Sequence, residues 1–217
     1  MKKGIIFDMD GTIWDSSENV AKSWDIQVKK LGYINEGVTQ EDIKGVMGKT
    51  MDVIADLLFP YTEEGEERNT LRAACEEYEN EYLSIHGGLL YPEVIETLEK
   101  LRDMGYYLYI VSNCQAGYIE AFLKYFEIDY GTDDNLISDI ECYGNNFLSK
   151  GENIALCAKR NNLDKAVYVG DIQSDYDSTC EAGLPFIHAA YGFGTINADV
   201  PAIKTFSELT KVVKKVI

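Results

Sequence analysis

Short segments with the character of strands alternate along this chain with longer stretches of helical spacing. The candidate strands cover residues 4–7, 107–111, 135–140, 166–169 and 185–189, and the first of them is a continuous apolar run. A strand with apolar side chains at consecutive positions is buried on both faces, which is typical of a parallel sheet covered by helices. Because helical patterns separate the candidate strands, the sequence predicts an α/β fold in which crossover helices join parallel strands.

The stretch between residues 16 and 86 differs from the rest, because helical spacing fills it and no strand pattern interrupts it. Ser16 or Ser17 can cap its first helix, and Gly32 suits the end of that helix. Residues 63–83 form a long and very acidic helical pattern, whose acidic face we interpret as solvated. We therefore predict an α/β core of residues 1–15 and 87–217, with residues 16–86 inserted as a helical domain.

The charge of the chain restricts its partners. The sequence has 37 acidic and 20 basic residues, a net charge of −17, and such a surface repels nucleic acid and anionic membranes. Neither is expected as a partner, and an anionic substrate would need local cations or a metal. The first apolar run ends after four residues at Asp8, too short for a signal peptide. We expect a cytoplasmic protein with free thiols; the oligomeric state stays open.

Polar residues follow three of the predicted strands at the point where each strand ends. They are Asp8, Asp10, Gly11 and Thr12 after the first, Ser112 and Asn113 after the second, and Asp171 after the fourth, with Asp175 one turn later. Lys150 is expected in the loop before a helix at 154–160. Open parallel sheets bind ligands beyond the carboxyl ends of their strands, so we expect these side chains to share one edge.

Four carboxylates at one edge repel one another and require a cation. Oxygen ligands without histidine or cysteine favour a hard ion, so Mg²⁺ is the predicted cofactor. A metal, a lysine and hydroxyl or amide donors together match the charge of a phosphoryl group. An aspartate beside the metal can attack phosphorus, and a second can give and take the proton.

The order of these motifs, DxDGT, then Ser112, then Lys150, then GDxxxD, resembles the four motifs of the haloacid dehalogenase (HAD) superfamily. The match covers most of the chain apart from the helical insertion. The resemblance implies a three-layer core with a Rossmann-like parallel sheet and an inserted helical cap of the C1 type. Phosphoglycolate phosphatases and β-phosphoglucomutases are similar in both respects.

The resemblance also implies a role for each motif residue. Asp8 is then nucleophile and metal ligand, Asp10 is the acid/base and lends its backbone carbonyl to the metal, Asp171 is a further ligand, and Asp175 supports that end of the site. The phosphoryl oxygens are held by Gly11, Thr12, Ser112, Asn113 and Lys150. Dehalogenases of this superfamily lack an aspartate at the position of Asp10, so its presence favours phosphoryl transfer.

These features predict a Mg²⁺-dependent phosphatase that hydrolyses a small phosphomonoester, of the phosphoglycolate or sugar-phosphate type, through an aspartyl phosphate. A phosphomutase is the nearest alternative, although no cap histidine lies near Ser23 to control Asp10. A catalytically silent binding protein on the same fold is a third reading. Lys49, between two short cap helices, either contacts the substrate or is a solvated lysine, and Trp14 has no assigned role.

Overall fold

The computed structural model describes residues 1–34 and 36–217 as an α/β protein with a six-stranded parallel sheet. In chain order the strands of the described residues are β1 (Lys3–Phe7), β2 (Trp14–Asp15), β3 (Leu89–Leu90), β4 (Tyr106–Ser112), β5 (Asp139–Cys142), β6 (Lys165–Gly170), β7 (Phe186–Ala189) and β8 (Ala202–Ile203). The main sheet has the order β5-β4-β1-β6-β7-β8. The predicted α/β parallel-sheet class is confirmed.

Helices flank this sheet and also fill the insertion. They are α1 (Ser17–Lys30), α2 (Gln40–Val46), α3 (Met51–Leu58), α4 (Glu66–His86), α5 (Val94–Asp103), α6 (Tyr118–Tyr125), α7 (Tyr143–Asn146), α8 (Lys150–Arg160), α9 (Gln173–Glu181) and α10 (Leu209–Val216), with a 3₁₀ turn at Phe206–Glu208. Over the described part of the chain, none of them has both the length and the apolar character of a membrane-spanning helix.

The central position of β1 decides where the polar motifs meet. Phe7, the last residue of β1, pairs with Ile110 of β4 on one side and with Val169 of β6 on the other. The three strands run parallel, so their carboxyl ends lie at one edge of the sheet. Residues far apart in the sequence therefore converge within a small volume, as the strand pattern predicted.

Two predicted boundaries were wrong. The strand expected at 135–140 is Asp139–Cys142, where pairing with β4 selects the residues that extend. Lys150 was placed in a loop, but it is the first residue of α8. The helix begins earlier because Ser149 and Glu152 form a capping box, in which each side chain accepts a hydrogen bond from the other residue's backbone N–H.

A short antiparallel pair of strands, which the sequence did not predict, joins the two ends of the insertion. Trp14 of β2 pairs with Leu90 of β3, and Asp15 pairs with Leu89. The helices α1 to α4 lie between these strands in the chain, within the predicted insertion at 16–86. We propose that the β2–β3 pair is where the helical cap leaves and rejoins the core.

Trp14, for which the sequence suggested no role, anchors this pair to the core. Its side chain is fully buried. Its ring meets the rings of Phe122 and Phe126 edge-on, with centroids 4.9 Å and 6.3 Å away. Edge-to-face contacts of this kind add to the free energy gained from burial. Trp14 thus fixes the start of the insertion against α6.

We expect Trp14→Ala to lower the free energy of unfolding by about 3–5 kcal/mol, because it leaves a large cavity in a close-packed region. Urea unfolding followed by circular dichroism measures this loss. The matched control is Phe147→Ala, since Phe147 is an aromatic residue that is 73% exposed. Equal losses in the two variants would contradict the anchoring role of Trp14.

Candidate active site

Asp8 follows β1 directly and is held by a lysine from another part of the chain. The Nζ atom of Lys150, at the start of α8, lies 2.7 Å from Oδ1 of Asp8 and 2.5 Å from Oδ1 of Asp175. All three side chains are buried. Desolvation lowers the pKa of Lys150, but the attraction of Asp175 and Asp8 outweighs it and holds that pKa above its usual range. The lysine is therefore a cation at this edge of the sheet.

Asp175 uses both of its carboxylate oxygens inside the protein. Oδ1 accepts from Lys150, while Oδ2 accepts from the backbone N–H groups of Asp171 at 3.0 Å and Ile172 at 3.2 Å. These bonds hold the turn between β6 and α9 in one conformation. The arrangement suits the supporting role predicted for Asp175 better than a role as metal ligand.

One carboxylate oxygen from each of Asp8, Asp171 and Asp175 lies within 4.8 Å of the others. Burial is the main reason that the pKa of Asp8 rises to about 7 and that of Asp171 to about 8, and repulsion between the carboxylates adds to both shifts. A divalent cation would remove this repulsion. Carboxylate oxygens are the donors that Mg²⁺ prefers, so the side chains present fit this ion.

The carboxylate of Asp10 has a different set of partners. Ser16 donates its hydroxyl to Oδ1 at 2.6 Å, and the hydroxyl oxygen of Tyr118 lies 2.8 Å and 3.0 Å from the two carboxylate oxygens. Burial raises the pKa of Asp10 to about 6, against the opposing effect of these hydrogen bonds. A carboxyl that titrates near neutral pH is suited to giving and taking protons.

The sequence analysis missed both partners of Asp10. Ser16 was considered as a helix cap, but its side chain makes no capping hydrogen bond and turns to Asp10 instead. Tyr118 was not among the predicted site residues. Its hydroxyl also lies 2.8 Å from that of Ser16, so the three groups form a closed hydrogen-bonded set. No sequence signal marks Tyr118, because α6 brings it to the site from more than a hundred residues away.

Position 11 requires glycine, because the Asp171 carboxylate lies too close to the backbone there for any side chain. Its backbone has φ +83°, and a Cβ atom would lie 2.1 Å from Oδ2 of Asp171. Thr12 is buried, and its hydroxyl lies 3.4 Å from Oδ1 of the same aspartate. The backbone N–H of Phe193 donates to Oδ2 of Asp171 at 2.7 Å, and the Tyr191 hydroxyl donates to the carbonyl of Thr12 at 2.7 Å. The loop after β7 therefore orients Asp171 and the DGT turn together.

A cavity opens between the cap and this edge of the sheet. Core residues that line it include Asp10, Ser112, Asn113 and Tyr118. The side-chain amide of Asn113 donates to the carbonyl of Gly48 in the cap at 3.0 Å, so Asn113 joins the two parts of the chain. From the cap, exposed Lys49 and buried Glu79 also line the cavity.

Glu79 corrects the interpretation of the acidic helix as a solvated face. It lies on α4 with only 3% of its surface exposed, and the indole N–H of Trp24 donates to its carboxylate. The helical pattern alone did not distinguish this glutamate from its exposed neighbours, because acidic residues surround it in the sequence. Packing of α4 against α1 turns it inward.

A model of the haloacid dehalogenase-like hydrolases matches residues 5–189. The chain belongs to this family. A phosphoglycolate phosphatase from Vibrio parahaemolyticus is 28% identical over 97% of this chain and 96% of that protein. One from Escherichia coli K12 is 24% identical over 88% of this chain and 82% of that protein. The crystal structure of a predicted phosphoglycolate phosphatase from Haemophilus somnus has a TM-score of 0.78, 24% identity and 98% coverage of both chains, and shows the shared fold.

In this haloacid dehalogenase-like chain the predicted site residues fall into two groups. At the edge of the sheet the structure brings together Asp8, Thr12, Lys150, Asp171 and Asp175. Ser112, Asn113 and the carboxylate of Asp10 face the cap, where Lys49 lies at the same cavity. The catalytic roles assigned to these residues remain predictions.

We expect Mg²⁺ to raise the melting temperature more at pH 8 than at pH 5. The pKa values of Asp8 and Asp171 are raised from 3.8 to about 7 and about 8, so protonation stabilises the metal-free fold at low pH. This stability is lost as the pH rises through those values. Bound metal replaces it, by about 2.7 kcal/mol at 100 times its Kd.

Differential scanning fluorimetry with Mg²⁺ or EDTA at both pH values measures this effect. Asp171→Asn should lose most of the response. Asp177→Asn, a change at an exposed aspartate of α9, should keep it. An equal response to Mg²⁺ at both pH values, or a full response in Asp171→Asn, would show that the ion acts elsewhere.

Proposed function

We propose that this protein is a Mg²⁺-dependent phosphatase that hydrolyses a small phosphomonoester through an aspartyl phosphate on Asp8. One observation carries the proposal: two aspartates from a single turn have different surroundings. Asp8 is bound by Lys150 beside Asp171, whereas Asp10 is bound by Ser16 and Tyr118 at the cavity. Different environments are how one site obtains a nucleophile and an acid/base from two identical side chains.

In this proposal Mg²⁺ would be held by Asp8, Asp171 and the backbone carbonyl of Asp10. When bound, it would offset the negative charge of the carboxylates and of the phosphoryl group. Lys150 adds a fixed positive charge from the protein itself. Together with donors from Gly11, Thr12, Ser112 and Asn113, this lysine would hold the phosphoryl oxygens.

The first half of the reaction forms the covalent intermediate. A carboxylate oxygen of Asp8 attacks phosphorus while the bond from phosphorus to the alcohol oxygen breaks. Asp10 gives its proton to that departing oxygen, so the alcohol leaves uncharged. The raised pKa of Asp10, about 6, keeps part of its population protonated near neutral pH.

The second half restores the enzyme. Asp10, now a carboxylate, accepts a proton from a water molecule as its oxygen attacks phosphorus. The bond between phosphorus and Asp8 breaks, and inorganic phosphate is released with Asp8 again a carboxylate. The two halves use the same proton carrier in opposite directions, and the hydrogen bonds from Ser16 and Tyr118 hold it in place.

The relatives support an ester of this kind, since several of them are named phosphoglycolate phosphatases. A phosphomutase would need a side chain from the cap to control Asp10. Among the described residues, the hydrogen bonds to the Asp10 carboxylate come from Ser16, at the start of the predicted insertion, and from Tyr118 of the core, and none comes from a histidine. A silent binding protein would have no use for the complete set of motif residues. Hydrolysis of a phosphoglycolate- or sugar-phosphate-type ester is the function that fits best.

Replacing Asp8 or Asp10 by asparagine should impair different steps of the reaction. Asp8→Asn removes the nucleophile, so turnover of p-nitrophenyl phosphate should fall by at least about 10³-fold, with no phosphoenzyme. Asp10→Asn keeps the nucleophile, and p-nitrophenolate needs little protonation to leave. It should give a burst of nitrophenol no larger than the enzyme concentration, followed by slow turnover.

Rapid-mixing absorbance measures the burst, and an alkyl phosphate should give a much slower one. Asp134→Asn, at an exposed aspartate, is the control and should behave like the wild type. The nucleophile assignment is falsified if Asp8→Asn retains wild-type turnover. Wild-type turnover in Asp10→Asn would remove the acid/base assignment alone.

Lys49→Ala tests whether the exposed lysine at the cavity contacts the substrate. The loss of one partly screened charge should raise KM for the physiological ester by about two- to fivefold. The effect on p-nitrophenyl phosphate should be much smaller, because its nitrophenyl group offers the lysine neither a carboxylate nor a hydroxyl. Lys30→Ala, at the exposed end of α1, is the control. Equal losses on both esters would assign Lys49 a structural role.

A further inference from the structure

Glu79 is the one buried acid that the cap contributes to the cavity described above, among the residues that the structure describes. The cavity also contains Asp10, whose charge contributes to raising the pKa of Glu79. The leaving group of a substrate would occupy this space, since Asp10 is the proposed proton donor to that group. Glu79 is therefore placed to contact the leaving group of the substrate and not its phosphoryl group.

The hydrogen-bond partner of the Glu79 carboxylate is an uncharged donor. The indole N–H of Trp24 donates to its Oε2, whereas the side-chain amide of the neighbouring Gln115 donates to Asn80 at 3.1 Å. Among the described residues, no lysine, arginine or histidine forms an ion pair with it. A buried carboxylate without a cation still requires hydrogen-bond donors, and a ligand can supply them.

A second acceptor lies at the same cavity. The Oδ1 atom of Asn113 is buried without a hydrogen-bond partner among the described residues, while its amide nitrogen donates one of its two hydrogens to the carbonyl of Gly48. The remaining cap lining is mostly apolar, with Val20, Ile43, Val46 and Ile54. The only cation that the described cap residues place there is Lys49, which is exposed. The cavity thus contains buried hydrogen-bond acceptors, and the described cap residues contribute no buried positive charge to it.

A substrate carboxylate would be poorly matched to this surface. It would lose its hydration against apolar side chains and lie near Asp10 and Glu79 without a buried cation from the cap. A hydroxyl is well matched, because it can donate to an acceptor and also accept. Burial raises the pKa of Glu79 to about 8, so both protonation states occur near neutral pH, and a hydroxyl can bond to either.

Resting on the phosphatase function proposed above, we propose that Glu79 selects esters whose leaving group carries a hydroxyl, as in polyol and sugar phosphates, over esters that end in a carboxylate. Sites built to bond a substrate hydroxyl discriminate strongly against analogues that lack it, because their buried polar groups are then left unpaired. Of the two proposed substrate types, the selection favours the sugar-phosphate type. Phosphoglycolate is then the poorer substrate of this chain, although the relatives are named phosphoglycolate phosphatases.

Three esters with the same two-carbon skeleton test this selection: 2-hydroxyethyl phosphate, ethyl phosphate and phosphoglycolate. They differ only in the terminal group. With the full chain, Mg²⁺ and pH 8, we expect kcat/KM for 2-hydroxyethyl phosphate to exceed that for ethyl phosphate by at least about fivefold and that for phosphoglycolate by at least about tenfold. For an ester that turns over too slowly, its Ki against p-nitrophenyl phosphate hydrolysis replaces kcat/KM.

Variants then assign the preference to Glu79. Glu79→Gln removes the charge but keeps the shape, and should lower the ratio of 2-hydroxyethyl phosphate to phosphoglycolate by at least about fivefold. Glu79→Leu should bring the ratio of 2-hydroxyethyl to ethyl phosphate close to one. Ratios within one variant cancel a general loss of activity or folded protein. Glu81→Gln makes the same charge change at an exposed position of α4 and should keep the wild-type ratios.

The inference is overturned if the wild type prefers phosphoglycolate, or if Glu79→Gln and Glu79→Leu keep the wild-type ratios. The ratios measured for the wild type test the predicted substrate preference even if both variants fail to fold. If the enzyme hydrolyses p-nitrophenyl phosphate but does not prefer 2-hydroxyethyl phosphate among the three esters, only this inference is overturned. An enzyme that hydrolyses neither p-nitrophenyl phosphate nor any of the three esters would remove the proposed phosphatase function as well.

Discussion

The contact of Lys150 with Asp8 and Asp175 is the interaction on which the site depends. It joins the end of β1, the start of α8 and the turn after β6, which are distant in the sequence. Burying two carboxylates side by side would be costly without a cation between them, and removing one partner of such a buried set costs about 3–5 kcal/mol. Asp175 in turn holds the backbone of Asp171. One ammonium group therefore fixes Asp8, the proposed nucleophile, and the loop that carries Asp171.

The turn after β1 separates two aspartates that are almost adjacent in the chain. Gly11 allows the backbone to reverse against Asp171, and the Asp10 side chain is then bound by Ser16 and Tyr118. The Asp8 side chain remains at the sheet edge with Lys150. This separation gives the two carboxyls different electrostatic surroundings, which is the physical condition for covalent catalysis with a separate proton carrier.

The cap supplies the other half of the site. The hydrogen bond from Asn113 to Gly48 connects the helical insertion to the edge of the sheet, and Glu79 lines the cavity between them. In the proposed function the core would bind the phosphoryl group that all phosphomonoesters share, and the cap would contact the leaving group that differs between them. Substrate choice in this chain is therefore expected to depend on a few buried polar atoms in a mostly apolar cavity, where an unmatched group is costly.

The sequence by itself determined the α/β class, the parallel strands and most of the polar residues at their carboxyl ends. The apolar pattern of strands buried on both faces and the order of the motifs can both be recognised locally in the sequence. Because the strands are parallel, the residues that follow them lie at one edge of the sheet. Motif order also predicted that Asp8, Lys150 and Asp171 lie together, although it placed Lys150 in a loop instead of at a capped helix start.

Only the tertiary structure decided which neighbours those residues have. Tyr118 and Ser16 bind Asp10, and Glu79 turns inward from an acidic helix, through contacts between segments that no spacing rule connects. The β2–β3 pair was likewise too short to leave a periodic signal. Hydrogen bonds and burial depend on where helices pack, and that packing is a property of the whole chain, not of any local pattern.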